Sequence, residues 1–307
     1  MSFFIVSLAD MENNMTRILA YMPTYSPYAE ATFINPRPYT RQSNIQIDKR
    51  FHSLGNGCRE KPWVYMDAID SVLNTRPDMH LVVADARSTD SIRDELIKHH
   101  QAAEGRYSLS LYTDRMSQWK VFNNLWKNHA AEDTEYFVYT SSDIFWGPDW
   151  VAEAIKEFEK DPALQIIFPC VQSGDPNLPA QIAPGPRDLD LIEAPYQHAA
   201  RAPVINAYAM IFRNSFLKAY GGYPDIFRNC FSESFLFYMC EAMGGKLRLM
   251  PRGWCFHLNA VDAWKDSGGL YNYDAEFDKF QSLMTHVQKT RMEGEMTIEF
   301  LKRTLSI

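Results

Sequence analysis

The chain has 307 residues, 46% hydrophobic and 22% charged, which are ordinary globular values without a disorder signature. That length suits one large α/β domain or two small ones. A net charge of −7 with no dense run of Lys or Arg excludes a broad nucleic-acid-binding surface.

The first residues, Phe3 to Ala9, form an apolar run without a basic flank, too short for a membrane span and too poorly flanked for a signal peptide. Residues 1–14 read as a tail, and the chain as soluble or at most peripheral to a membrane. Arg17 to Met22 predicts a strand ending in Pro23-Thr-Tyr-Ser-Pro27. From there to Pro62 the chain is loop-like, and a loop of that length in a compact domain is usually functional. Trp63 to Asn74 carries the apolar stripe of a helix, and His80 to Ala84 reads as a strand buried on both faces. Ser88-Thr-Asp90 places side-chain oxygens where the next helix needs an N-cap. Tyr107 to Tyr112 is a third strand, Ser117 to His129 a third helix, and Tyr136 to Tyr139 a fourth strand. Strand and helix alternate throughout, the pattern of a parallel, doubly wound sheet.

The fourth strand breaks at Thr140-Ser-Ser-Asp143 and passes through Gly147-Pro148 into a helix, Trp150 to Lys160. A carboxylate at the carboxyl end of a strand sits where open α/β sheets bind ligands, and there it can hold Mg²⁺ or Mn²⁺ against a diphosphate. On local sequence alone Asp143 could equally cap the turn. Leu164 to Pro169 is a fifth strand, followed by a Pro- and Gly-rich connection, Ser173 to Pro203, that looks like an active-site loop. Val204 to Arg213 returns as a strand, Phe216 to Tyr220 is a short helix ended by Gly221-Gly222, and Phe231 to Gly244 is a buried helix. Leu247 to Leu249 and Trp254 to His257 are short strands, and Ala275 to Leu305 is a charged amphipathic helix or helix pair. The five cysteines (58, 170, 230, 240 and 255) have no metal-ligand spacing and read as reduced, mostly buried thiols of a cytoplasmic protein.

Several of these segments fall in one order, and together they resemble the GT-A-fold glycosyltransferases, within them the mostly inverting family 2 group. The resemblance rests on Pro23-Thr-Tyr25-Ser26, Ala68-Ile-Asp-Ser-Val-Leu73, Ala84-Asp-Ala-Arg-Ser-Thr-Asp90, Ser141-Ser-Asp143 with Pro148-Asp-Trp150-Val, Gly221-Gly-Tyr-Pro-Asp225-Ile-Phe227, Ser232-Glu233 and His257. The patterns they resemble are a Pro-Thr-Tyr-Asn turn, Ala-Ile-Glu-Ser-Val-Leu, Val-Asp-Asp-Gly-Ser-Thr-Asp, Asp-x-Asp, Gly-Gly-Phe-Asp-x-x-Phe, a Glu-Asp pair and a closing His.

The resemblance implies a Rossmann-like, nucleotide-sugar-binding domain over 15–260, its nucleotide half over about 15–145 and its acceptor half over about 146–260. A C-terminal helical extension follows over 261–307. It implies that Pro23, Thr24, Tyr25 and Asp85 hold the base, that Arg87, Ser141 and Ser142 line the ribose and diphosphate, and that Asp143 and His257 hold Mn²⁺ or Mg²⁺. Glu233 becomes the general base, on a neighbourhood of Phe231, Phe235 and Leu236 able to desolvate it. Asp85 could instead cap the next helix, and Glu233 could be a charge favoured by a helix dipole. The implied donor is a nucleotide sugar, a UDP-sugar foremost, and the acceptor a glycan, lipid-linked glycan or protein. The chain departs from the pattern at Ser141, Ala86 and Arg87, and carries Glu where the base is commonly Asp. Ser141 leaves open a catalytically weakened nucleotide-sugar-binding protein. A nucleotidyltransferase ranks last, for want of a Gly-rich phosphate loop with a Lys.

Overall fold

The computed structural model describes residues 18–24, 62–76, 79–114, 116–130, 132–147, 150–173, 185–189, 209–227, 231–250, 255–257 and 273–307. The loops read at 27–62 and through most of 173–203 lie outside them, as do Tyr25, Cys58 and Cys230.

Strand β1 (Ile18–Thr24) is flanked on one side by β2 (His80–Asp85) and on the other by β4 (Tyr136–Thr140), all parallel. Strand β3 (Ser108–Leu111) extends the sheet beyond β2. Alternate residues of β1 feed opposite cores. Leu19 and Tyr21 face one layer; Ile18, Ala20 and Met22 face the other. The second of these layers is filled by α1 (Pro62–Thr75), α2 (Asp90–Ala102) and α4 (Trp150–Lys160), through Ile69, Val72, Leu96, Trp150 and Phe158. The first is filled by α3 (Gln118–His129), α5 (Asn214–Tyr220) and α6 (Leu236–Ala242). Helices on both faces of a mostly parallel sheet make the doubly wound architecture that the alternating pattern predicts.

The far half of the sheet is mixed. Strand β9 (Ala209–Arg213) lies antiparallel between β4 and β6 (Leu164–Phe168), and β10 (Lys246–Leu249) runs parallel to β6. A second, three-stranded sheet pairs β11 (Cys255–His257) with β5 (Ile144–Trp146) and β7 (Val171–Ser173). The C-terminal helices α7 (Tyr273–Met292) and α8 (Ile298–Leu305) bury Phe280, Met284, Val287, Leu301 and Leu305 in the same core as Phe231 and Leu236.

Three expectations change in detail. Strand β8 (Arg187–Leu189) lies inside the segment read as a loop and pairs antiparallel with β10. Thr89 is the N-cap of α2 but its side chain makes no capping bond, because the turn is held by Asp85 instead. The segment read as one helix from Phe231 opens as a 3₁₀ turn, Ser232–Phe235, before α6 begins. Cys170, Cys240 and Cys255 are free and buried. Among the described residues no helix is long and apolar enough to cross a membrane.

Candidate active site

The strand order β3-β2-β1-β4 reverses direction of growth at β1, so the crevice at the carboxyl ends of β1 and β4 is where this sheet can receive a ligand. Register brings Thr24 opposite Asp85, and Tyr21 opposite Tyr139. Asp85 is fully buried. Its Oδ2 accepts from the Thr24 hydroxyl at 3.2 Å, its Oδ1 from the Ser88 amide at 3.0 Å, and the Arg93 guanidinium lies 3.4 Å from Oδ1. Burial pushes the carboxyl up, and the hydrogen bonds and Arg93 pull it part of the way back. Asp85 therefore fastens the β2–α2 turn to β1. Pro23 is half-buried beside it. Arg87, next in the turn, is exposed and left-handed at φ 70°.

Beyond β4 the chain turns through Ser141, Ser142 and Asp143, all half-buried, with the Ile144 amide donating to Ser141 O at 3.2 Å. Two bonds brace this turn from outside. The Trp146 indole donates to Thr140 Oγ1 at 3.0 Å, and the Trp146 amide donates to Ser71 Oγ at 3.2 Å. The antiparallel pairing of β11 with β5 sets His257 opposite Ile144, one residue from Asp143. No group of three or more His, Cys, Asp or Glu that could hold an ion occurs among the described residues. A hard carboxylate such as Asp143 suits Mg²⁺ or Mn²⁺, which take one or two protein carboxylates and complete their shell with water and substrate phosphate.

Glu233 sits on the 3₁₀ turn that follows Phe231, a residue held left-handed at φ 71°. A bulky residue with positive φ stores strain that the surroundings must over-determine, and such strain collects at functional sites. The surroundings here are aromatic: Phe231 stacks on Phe280 of α7 at 4.8 Å and meets Phe227 at 5.9 Å. Burial raises the Glu233 carboxyl to about 7, and its Oε2 is enclosed without a hydrogen-bond partner. Its charge reaches the hydroxyls of Tyr139 and Tyr223, and Asp143 also reaches Tyr139. Both carboxylates thus act on one buried tyrosine, whose hydroxyl donates to Gln118 Oε1 at 3.2 Å.

Sequence reasoning passed over Tyr139, Gln118, Trp119, Asn123 and Tyr223. The Gly221-Gly222 pair was the available signal. Gly221 (φ 85°) caps α5, and at Gly222 (φ 137°) an added Cβ would lie 2.5 Å from Asn123 Oδ1. That close approach lets the Asn123 amide grip the next residue by both backbone groups. Nδ2 donates to Tyr223 O at 2.8 Å, and Tyr223 N donates to Oδ1 at 2.7 Å.

A family model described as glycosyl transferase family 2 matches residues 66–218, a span holding Asp85 and the Ser141–Asp143 turn and ending before Glu233. Solved structures share the fold. The mannosyltransferase PcManGT from Pyrobaculum calidifontis, in complex with GDP-Man and Mn²⁺, is 19% identical with a TM-score of 0.52, covering 81% of this chain and 59% of its own. TarS 1-349 from S. aureus, in complex with UDP-GlcNAc, is 11% identical with a TM-score of 0.52, covering 78% and 58%. GalNAc-T7 with UDP, GalNAc and Mn²⁺ is 13% identical with a TM-score of 0.54, covering 80% and 44%. The chain therefore spans no more than 59% of the length of these three. No curated protein matches the chain. With Asp85 and the Asp143 turn inside the matched span and the sheet in GT-A order, the chain carries a glycosyl transferase family 2 domain of the GT-A fold.

Proposed function

We propose that this chain transfers a sugar from a nucleoside-diphosphate sugar to an acceptor hydroxyl, with inversion at the anomeric carbon. The observation that carries the reading is Glu233: a half-buried residue whose carboxyl has one enclosed, unpartnered oxygen and is raised by burial to about 7, and whose charge, like that of Asp143, acts on Tyr139. A general base works best when its pKa lies near the operating pH. The acceptor hydroxyl gives its proton to Glu233 as its oxygen bonds to the anomeric carbon. The bond from that carbon to the diphosphate breaks, and the electron pair leaves with the nucleotide. Thr24 and Asp85 bind the base end of the donor, and Ser141 and Ser142 the ribose. Asp143 and His257 would hold Mn²⁺ or Mg²⁺, which supplies positive charge to the departing diphosphate. Arg87 adds cationic charge at the mouth of the same crevice.

The donors carried by structures of like fold, UDP-GlcNAc and GDP-Man, set the panel, with a UDP-sugar favoured here. The acceptor is a hydroxyl of a glycan, a lipid-linked glycan or a protein. A weakened nucleotide-sugar binder is the second reading, favoured by Ser141, which brings no charge to the ion.

One experiment separates the two. Thermal stability is followed with UDP-GlcNAc, UDP-glucose and GDP-mannose, with and without Mn²⁺, and hydrolysis or transfer is timed for wild type and Glu233→Gln. A ligand at 100 times its dissociation constant adds about 2.7 kcal/mol of stability. Glu233→Gln is expected to bind the donor as wild type does and to turn over about 10²- to 10⁴-fold more slowly. Wild-type turnover in that variant removes Glu233 as the base. Ion-dependent donor binding without measurable turnover in the wild type favours the binder.

A further inference from the structure

The 3₁₀ turn that carries Glu233 is four residues long, Ser232–Phe235, and a strained residue opens it. Phe231 stands at φ 71° with its carbonyl accepting from the Ser234 amide at 3.1 Å. A phenylalanine free to relax would leave that conformation for negative φ, and the turn would move with it. Something outside the turn must hold the ring.

The hold comes from α7, which lies outside the span 66–218 matched by the family model. Phe280 stacks on Phe231 with centroids 4.8 Å apart at 21°, and meets Phe235 edge-on at 6.1 Å. One ring thus meets both the residue that opens the turn and the residue that closes it. The same ring meets Phe227 edge-on at 6.2 Å, and Phe277, on the preceding turn of α7, lies 5.9 Å from Phe231. Beside it, the Lys279 ammonium donates to Ile226 O at 2.9 Å, so α7 also grips the loop that leads into Phe231. An aliphatic side chain could fill the space of Phe280, but it could not stack flat on Phe231.

We propose that Phe280 is a positioning residue for the transfer: through Phe231 and Phe235 it fixes the turn, and with it the Glu233 carboxylate, in the place where the acceptor hydroxyl is deprotonated. The proposal rests on Glu233 being the base. It makes α7 part of the frame of the site. Phe280 touches no reacting atom, and its effect is one of orientation, where a displacement of about 1 Å can cost about 10²-fold in rate. The same clamp keeps the carboxyl out of water, and burial is what raises it. The titratable groups that share its field are Tyr139 of β4 and Tyr223, both held protonated by burial. Of the charged residues beside Phe280 on α7, Lys279 acts with Lys120 on Asp225, and Glu276 lies one turn back. Loosening the clamp therefore lets the Glu233 carboxyl fall towards its ordinary value.

The test compares wild type, Phe280→Leu, Val287→Ala and Glu233→Gln. It measures melting temperature, calorimetric affinity for UDP with Mn²⁺, and the pH dependence of hydrolysis of UDP-GlcNAc, UDP-glucose and GDP-mannose, with water standing in for the acceptor. Val287 is buried two turns farther along α7 in the same core, and its truncation controls for lost packing. Both α7 variants are expected to melt a few degrees lower with wild-type affinity for UDP. Phe280→Leu should also lower the plateau rate about 10- to 100-fold. The midpoint of its acid limb should move down by about one unit from about 7. Val287→Ala should keep the wild-type plateau and midpoint. Phe277→Leu, at a half-buried position, should move both in the same direction by less, and it decides the matter if Phe280→Leu does not fold. A midpoint left at the wild-type value, or an equal shift in Val287→Ala, overturns the Phe280 assignment alone when Glu233→Gln is slow. Full hydrolysis in Glu233→Gln, or none in the wild type, overturns the base assignment and Phe280 with it.

Discussion

Arg87 keeps a left-handed backbone, φ 70°, in the turn where the resembling pattern has Gly. An L-residue there costs roughly 1–2 kcal/mol, and Gly recovers that at the expense of some chain entropy. Arg87→Gly is therefore expected to gain about 0.5–1 kcal/mol of stability, measured by urea unfolding, while UDP affinity falls through loss of the guanidinium. Unchanged UDP affinity would place Arg87 in solvent, away from the diphosphate. The substitution itself was visible in the sequence; the strain was not, because a turn's φ depends on how Ala86 and Ser88 are tied to Thr24 and Asp85. Asp85, Asp143 and Glu233 could be singled out because carboxylates at strand ends or beside apolar runs are unusual. Tyr139 and Tyr223 could not. In sequence they are core aromatics, and only the folded chain shows their hydroxyls sharing the field of Glu233.

Elements of four or more residues with a clear period were legible, from β1 through α6. Of the three-residue strands, β11 was read from the apolar run Trp254 to His257, whereas β5, β7 and β8 were not, since three residues display no period and their pairing is set by partners far along the chain. Strand β8 also meets an ion pair: Arg248 of β10 reaches its Asp188 at 2.6 Å, and the same guanidinium reaches Glu157 at 2.8 Å and Asp161 at 3.2 Å outside the strand. Strand β5 matters more for the site, because it follows Asp143 directly. Its Trp146 amide is taken by Ser71, which gives the Ala68-to-Leu73 helix motif a physical task beside the Asp143 turn, the proposed ion site. Removing that hydroxyl leaves a buried amide unpaired, worth about 1–3 kcal/mol. Ser71→Ala is expected to weaken Mn²⁺-dependent UDP binding about 3- to 10-fold by calorimetry, while UDP binding without Mn²⁺ is unchanged. Ser71→Thr, which keeps the hydroxyl, should restore it. Equal weakening with and without Mn²⁺ would mean that α1 supports the whole crevice and not the turn in particular.

Across the whole molecule, the core that stabilises the fold also sets the chemistry of Glu233. Helices α7 and α8 close the aromatic layer around Phe231, two residues before Glu233, and burial lifts that carboxyl to about 7. A carboxyl whose folded pKa lies above its unfolded value binds protons more tightly when folded. Its stabilising contribution is complete below the unfolded pKa and is lost as pH rises through 7. Catalysis runs the other way, since the base must be ionised. Half-buried His80, His100 and His129, held below their ordinary range by desolvation, add stability as pH rises and mask the trend in the wild type alone. The informative quantity is the difference between wild type and Glu233→Gln, in which the histidines cancel. Between pH 5 and 8 that difference in unfolding free energy is expected to move against the wild type by on the order of 3 kcal/mol, while wild-type turnover rises about tenfold per unit below pH 7 and then levels. Urea unfolding at each pH and a pH–rate profile measure the two. Parallel unfolding curves for the two proteins would show that Glu233 ionises as freely as it would in water. The base would then have to be sought at Asp225, whose carboxyl is also raised by burial and accepts from the Ser117 hydroxyl at 2.5 Å.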